Sequence, residues 1–291
     1  MKTLIAKFIG LYLNVLAIFS RTTAGKKGYY IFSSPARKAV KDHQLGFLET
    51  AEKSSFQCNG DTIRVYRWGT GDKKILLLHG WQSNSFRWKY YIDGLAKDQY
   101  TVYALDAPGH GLSTGKYLNI AIYSEVIETF LYLTQPMDAI VGHSMGAVSV
   151  LYTLYRLPNL DVKKLVIMGC PGEANDYMIR FTKILSLNKT TLQAIVDGFE
   201  RFTYHVPTYF SSPRFGEAVK IPTLIIHDRE DSEAPYHHIP GIHQAIKNSQ
   251  LVTTSGLGHN LRSPEIVKQV LDFVQVDVSE KAIQVVKLHL N

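Results

Sequence analysis

Several short stretches of this chain are apolar at every position, with no polar alternation: Ile75-Leu-Leu-Leu78, Ala139-Ile-Val141, Leu165-Val-Ile-Met168 and Leu224-Ile-Ile226. Strands buried on both faces read this way. Residues 62–68 alternate instead and run into Gly69-Thr-Gly-Asp72, the pattern of a half-buried strand ending in a turn. Residues 100–105 and 249–254 supply two more strands. Between these strands, residues 86–95, 120–133, the stretch after Ser144 and residues 265–274 place apolar side chains at helical spacing. Strands alternating with helices predict an α/β fold, with a mostly parallel, doubly wound sheet covered on both faces.

Two regions break the alternation. Residues 171–221 are rich in Phe, Tyr, Leu and Ile but show no strand pattern, and they read as a helical cap inserted over the sheet. Within it Met178, Phe181, Ile184, Leu185, Phe199, Phe202 and Tyr204 are candidates for lining a pocket. The other region is residues 1–21, an apolar helix relieved only by a narrow small or polar stripe of Lys7, Gly10, Asn14, Ala17 and Arg21. Such a helix needs cover. The uninterrupted apolar stretch between Lys7 and Arg21 is shorter than the ~20 residues of a membrane span. Three readings stay open: docking on the chain's own domain, contact with a membrane surface, or a secretory signal with a poor cleavage site at Thr22-Thr23-Ala24. The expectation is a retained helix and a cytoplasmic protein, with membrane association through residues 1–21 left open. Residues 25–55 are basic and mixed and predict no definite element. The division that follows is 1–55 for the helix and lead-in and 56–291 for the α/β domain, the cap included.

Composition narrows the class. Apolar residues make up 45% of the chain and charged residues 20%, which excludes bulk disorder. The net charge is +7, but no nucleic-acid motif accompanies the basic residues, so no nucleic-acid partner is expected. Cys58 and Cys170 are the only thiols and are expected free and buried. H-E-x-x-H, Walker and G-x-G-x-x-G patterns are all missing, so no metal and no cofactor are expected.

The chemistry gathers at Gly142-His143-Ser144-Met145-Gly146, a G-x-S-x-G between a predicted strand and a predicted helix. A serine at such a sharp turn sits in a strained backbone conformation with its hydroxyl exposed, and bulky residues two positions either side would clash. Helix-start amides, that of Met145 among them, face any negative charge that develops there. A serine hydroxyl needs a base and a carboxylate to become a nucleophile. His259, in Gly256-Leu-Gly-His-Asn260 after the last strand, is the base to expect. His143, His237, His238 and His243 read as structural or solvated. The acid comes from residues 225–235, with Asp231 preferred because it lies farther along the loop than Asp228, which stands at the strand end and reads as a turn cap.

Together with His79-Gly80 and Asp106-Ala-Pro-Gly-His-Gly-Leu-Ser113, these motifs make the chain resemble an α/β-hydrolase of the serine esterase and lipase type, over residues 62–274. The order Ser144, Asp231, His259 matches that family. The resemblance implies an oxyanion hole from the backbone amides of Trp81 and Met145, and a scaffold role for residues 106–113. Asp228 departs from the pattern, since glycine is common at that position. The expected activity is carboxylic ester hydrolysis through an acyl-enzyme on a small, apolar acyl substrate. Thioesterase, lactonase, carbon-carbon bond hydrolase and perhydrolase chemistry use the same residues, and a non-catalytic ligand-binding module is the reading from another class.

Overall fold

The computed structural model describes residues 2–276; Met1 and residues 277–291, the end of the predicted 56–291 domain, lie outside them. Three helices come first: α1 (Lys2–Phe19), α2 (Arg21–Phe32) and α3 (Asp42–Leu48). The sheet begins with β1 (Glu52–Cys58), β2 (Asp61–Trp68) and β3 (Lys73–Leu78), followed by α4 (Lys89–Asp93), β4 (Tyr100–Leu105) and α5 (Ile120–Thr134). Then come β5 (Ala139–His143), α6 (Met145–Arg156) and β6 (Leu165–Met168). The cap holds α7 (Ala174–Leu185), α8 (Lys189–Thr203) and α9 (Ser212–Gly216), and the chain returns through β7 (Thr223–Asp228), α10 (Ile239–Ala245), β8 (Ser249–Thr254) and α11 (Pro264–Gln275).

The eight strands form one sheet in the order β1-β2-β4-β3-β5-β6-β7-β8. The β1–β2 and β2–β4 pairs are antiparallel and all others parallel. Strand side chains alternate between two cores, one on each face of the sheet: Leu76, Leu78, Ile140, Leu165 and Ile167 pack on one side, and Ile75, Leu77, Val141, Val166 and Met168 on the other. Both faces being covered is why these strands read as unbroken apolar runs. The chain leaves β3 for β4 on one side and returns to β5 on the other. The carboxyl ends of β3 and β5 therefore flank a topological switch point, the crevice where open α/β sheets hold their ligands.

Residues 25–55 hold structure that the pattern did not announce. β1 is an edge strand exposed along most of its length, so it carries no alternation to read. The boundary expected between residues 55 and 56 falls inside it. α2 contains Gly25 and Gly28, which argue against a helix on propensity alone. Packing reverses that argument. A Cβ on Gly25 would stand 2.1 Å from the carbonyl oxygen of Ala194, and one on Gly10 would stand 1.6 Å from that of Leu185. The glycines let α2 lie directly on α8 and α1 on α7. Asn14 completes the second junction, donating from Nδ2 to the Ser186 carbonyl at 3.1 Å and accepting from the Asn188 amide at 3.0 Å.

The middle of the α1 stripe, Gly10, Asn14 and Ala17, therefore faces inward, while Lys7 and Arg21 at its two ends stay exposed. Gly10, Leu13 and Ala17 are buried against the cap, whereas Leu4, Ile5, Phe8, Leu11, Tyr12, Val15, Ile18 and Phe19 are exposed. Among the described residues no helix is long and apolar enough to cross a membrane.

Candidate active site

Ser144 sits between β5 and α6 with φ 53° and ψ −118°, a conformation that costs a non-glycine residue about 1–3 kcal/mol. Backbone bonds on both sides hold it. Its amide donates to the Met168 carbonyl at 2.9 Å, and its carbonyl accepts from the Ala147 and Val148 amides at 2.9 and 3.1 Å. The flanking glycines are required by contact: a Cβ on Gly142 would meet Ala147 Cα at 2.8 Å, and one on Gly146 would meet the Leu78 carbonyl oxygen at 2.4 Å. The sequence led one to expect an exposed hydroxyl, but Ser144 is buried. The cap leaves Ser144 only 8% accessible, on the wall of a cleft.

His259 stands in a single 3-10 turn, Gly258–Asn260, after β8. Its Nε2 lies 2.8 Å from Ser144 Oγ, and its Nδ1 lies 2.8 Å from Asp231 Oδ2. With Nδ1–H donating to the carboxylate, Nε2 is left to accept from the serine. Asp231 is buried. Burial raises its pKa, but the bond from His259 and the Ala234 and Glu233 amides outweigh that and hold the carboxyl below its ordinary value. Those amides reach Oδ1 at 2.8 and 2.9 Å, so the carboxylate is fixed in orientation as well as in charge.

Asp228 takes a different set of partners. Its carboxylate accepts from Thr254 Oγ1 at 2.7 Å and from the Leu257 and Glu230 amides at 3.0 and 2.9 Å. It thus ties the β7 turn to the loop that carries His259 and makes no bond to that ring. Burial acts to raise its pKa, yet these hydrogen bonds hold it low.

The loop after β3 is anchored by two neutral imidazoles. His79 donates from Nδ1 to the Gly80 carbonyl at 2.8 Å and accepts at Nε2 from the Ala107 amide at 3.0 Å. His110 donates from Nδ1 to the Pro108 carbonyl at 2.8 Å and accepts at Nε2 from the Gln82 amide at 2.9 Å. Each ring must give one proton and take one, and burial pushes both pKa values down to about 4. Asp106 secures the second half of the turn, accepting from the Ser85 amide and hydroxyl at 2.8 and 2.7 Å and from the Leu112 amide at 2.9 Å. Burial raises its pKa.

Trp81 and Met145 line the cleft together with Ser144, and Gly80 packs against the serine Cβ. The cleft has a volume of about 330 Å³ and is walled by Phe32, Leu118, Ile120, Met145, Val148, Phe181, Ile184 and Phe199 among others. Of the seven cap residues singled out by sequence, Phe181, Ile184 and Phe199 reach it. Met178 and Leu185 are buried in the core, Phe202 stacks on Tyr29 at 4.5 Å, and Tyr204 is 86% exposed. The lining stripe of α7 is Ala174, Tyr177, Phe181 and Ile184, one face of the helix. Tyr177, Arg180 and Glu233 bring polar groups to the cleft, and Glu233 Oε2 lies 3.9 Å from His259 Nε2. Sequence spacing offered no way to find them, because Glu233 reaches the site only through the course of the loop after Asp231.

Among the described residues, one group of side chains could offer three ligand atoms to a metal: Asp176, His237 and His238, outside the cleft. His238 Nε2 already bonds the Asp176 carboxylate at 2.7 Å. Cys58 and Cys170 are both free and buried.

Residues 69–200 match the family model described as serine aminopeptidase, S33. The AB hydrolase superfamily protein YisY of Bacillus subtilis is 24% identical, over 64% of this chain and 85% of that protein. The bifunctional esterase/perhydrolase DCH of Acinetobacter calcoaceticus is 25% identical, over 79% of this chain and the whole of that protein. Among solved structures, a putative lipase from Acinetobacter baumannii AYE superposes with a TM-score of 0.61 at 19% identity, covering 80% of this chain and 93% of that one. The sheet order, the strained serine at its switch point and these matches agree, and the chain has the α/β-hydrolase fold.

Proposed function

We propose that this protein is a serine hydrolase that cleaves carboxylic esters through an acyl-enzyme. One observation carries the reading. Asp231, His259 and Ser144 form an unbroken hydrogen-bond chain of 2.8 and 2.8 Å, and the serine end of that chain opens into an apolar cleft. His259 takes the Ser144 proton as the oxygen attacks the ester carbonyl, and Asp231 steadies the resulting imidazolium. The amides of Trp81 and Met145 receive the oxyanion. The imidazolium then protonates the leaving alcohol, and a water activated by the same ring releases the acyl group. The cleft's apolar walls favour an acyl chain over a charged acid.

The relatives named as esterase/perhydrolase and monoacylglycerol lipase support an ester-type substrate, the latter at 30% identity over 44% of this chain. The test is twofold: labelling of the purified protein by a fluorophosphonate, and turnover of esters and thioesters of graded acyl length. Labelling at Ser144 with turnover highest on esters is expected. An unlabelled serine would mean that the fold serves as a binding module.

A further inference from the structure

Among the described residues, eight of the sixteen exposed large apolar side chains lie on α1, and the site does not explain them. Ile18 and Phe19 are 78% and 82% accessible, and the other exposed apolar side chains of the helix repeat at i, i+3, i+4 and i+7 along its length. The opposite face is occupied: Gly10 lies on Leu185, and Asn14 bonds Ser186 and Asn188. α1 is thus held rigidly with its apolar side outward. It cannot turn over to hide that side without breaking its junction with the cap.

Charge identifies what covers it. Residues 1–41 contain eight Lys and Arg and not one Asp or Glu, against +7 for the whole chain, so residues 42–291 together carry −1. The entire positive excess sits on the segment that builds α1, α2 and the connection to α3. Lys7, Lys26 and Lys27 are exposed, and Lys27 Nζ lies 5.5 Å from the ring of Tyr12, which belongs to the apolar face. Arg21 lies 3.8 Å from Asp197. A second copy of the same surface would bring like charges together. An apolar helix face bordered by cations suits an anionic lipid interface, where buried side chains and charge attraction add.

The geometry points to α1 lying in the plane of an anionic membrane surface, with the cleft fed from that lipid layer. α7 connects the two. Its end at Leu185 bears α1, while the neighbouring Ile184 is half exposed and lines the cleft, as does Phe32 at the end of α2. Acyl substrates dissolved in the lipid would then enter beside Ile184. This last step rests on the ester-hydrolase reading; the attachment does not.

The test uses the full chain with phosphatidylcholine vesicles, with and without phosphatidylglycerol, read by co-sedimentation. Wild type is expected to sediment with the anionic vesicles and to be released by high salt. Phe8→Gln, Leu11→Gln and Ile18→Gln should each weaken binding about tenfold. Lys26→Gln and Lys27→Gln should weaken it about fivefold each, on anionic vesicles only. All five positions lie outside the cleft, so turnover of a short, water-soluble ester should be unchanged, which also certifies folding. Failure of wild type to sediment overturns the proposal, as does binding indifferent to phosphatidylglycerol or to these substitutions. A wild-type dimer in light scattering that Ile18→Gln dissolves would assign the face to a second copy instead. Wild type that binds vesicles but turns over no ester would sink the hydrolase reading and leave the attachment standing.

Discussion

His143 Nε2 donates to the backbone carbonyl of His259 at 2.8 Å, so the residue before Ser144 holds the turn that carries His259. The ring is buried, and burial, with repulsion from Arg87 and His259, keeps it neutral by pushing its pKa well below the ordinary imidazole value. Its Nδ1 has no hydrogen-bond partner. The ring packs against that of His259 with centroids 4.9 Å apart. Sequence suggested a structural histidine, and its place in the fold makes it a positioning residue. His143→Phe, which keeps the ring and loses the donor, should lower kcat about tenfold with little change in KM, the effect of one hydrogen bond of about 1–1.5 kcal/mol. His143→Gln, able to donate to the same carbonyl, should recover part of it. Steady-state kinetics on a soluble ester separates the two.

Ser144→Ala should abolish fluorophosphonate labelling and lower ester turnover by on the order of 10⁴-fold or more. Alanine suffers the same backbone strain at φ 53° as serine, so the melting free energy should move by less than about 1 kcal/mol. Labelling that persists at another residue would move the nucleophile elsewhere.

The two aspartates should separate cleanly. Asp231→Asn removes the charge that faces His259 and should cost on the order of 10³-fold or more in kcat. Asp228→Asn weakens a turn that binds Thr254, Leu257 and Glu230, and should instead cost about 1–3 kcal/mol of stability with less than tenfold in activity. Paired kinetics and denaturation of both variants decide the matter, and a reversed ranking in kcat would transfer the acid's role to Asp228.

Stability should fall on acidification in two stages. His79 and His110 have folded pKa values of about 4, below the ~6.5 of an unfolded imidazole, so between those pH values the unfolded chain binds protons that the fold refuses. Each ring then withdraws on the order of 3 kcal/mol as pH drops through that window, and nothing further below it. Asp228 and Asp231, whose folded values are depressed, stabilise above the ordinary carboxylate range and lose that contribution as pH falls through their folded values. Urea denaturation from pH 7 to 4 should show a slope of about two protons or more. A midpoint indifferent to pH in that window would contradict the neutral rings.

Gly25→Ala tests the seating of α2. In a solvated helix this change would stabilise by about 1 kcal/mol. Here the new Cβ would stand 2.1 Å from a backbone oxygen of α8, so a net loss of about 1–3 kcal/mol is expected in thermal or chemical melts. A stabilised variant would show that the two helices do not lie together.

What the sequence determined by itself was local. Strands buried on both faces must be apolar throughout, so β3, β5, β6 and β7 were readable, and G-x-S-x-G specified a turn that only two flanking glycines allow. The order of Ser144, Asp231 and His259 along the chain could be read as well, but not the 2.8 Å contacts, of which the one between Ser144 and His259 joins residues 115 positions apart through the sheet order. Only tertiary structure decided the rest. β1 is visible through its pairing with β2, because an exposed edge strand has no apolar face to announce it. α2 exists because its glycines, poor for an isolated helix, permit contact with α8 that a side chain would prevent. The stripe on α1 could be seen in the sequence, but which side of it faced inward depended on the partner. Gly10 and Ala17 went to the cap with Leu13 because close backbone approach there requires small residues, and most of the large apolar ones were left outside.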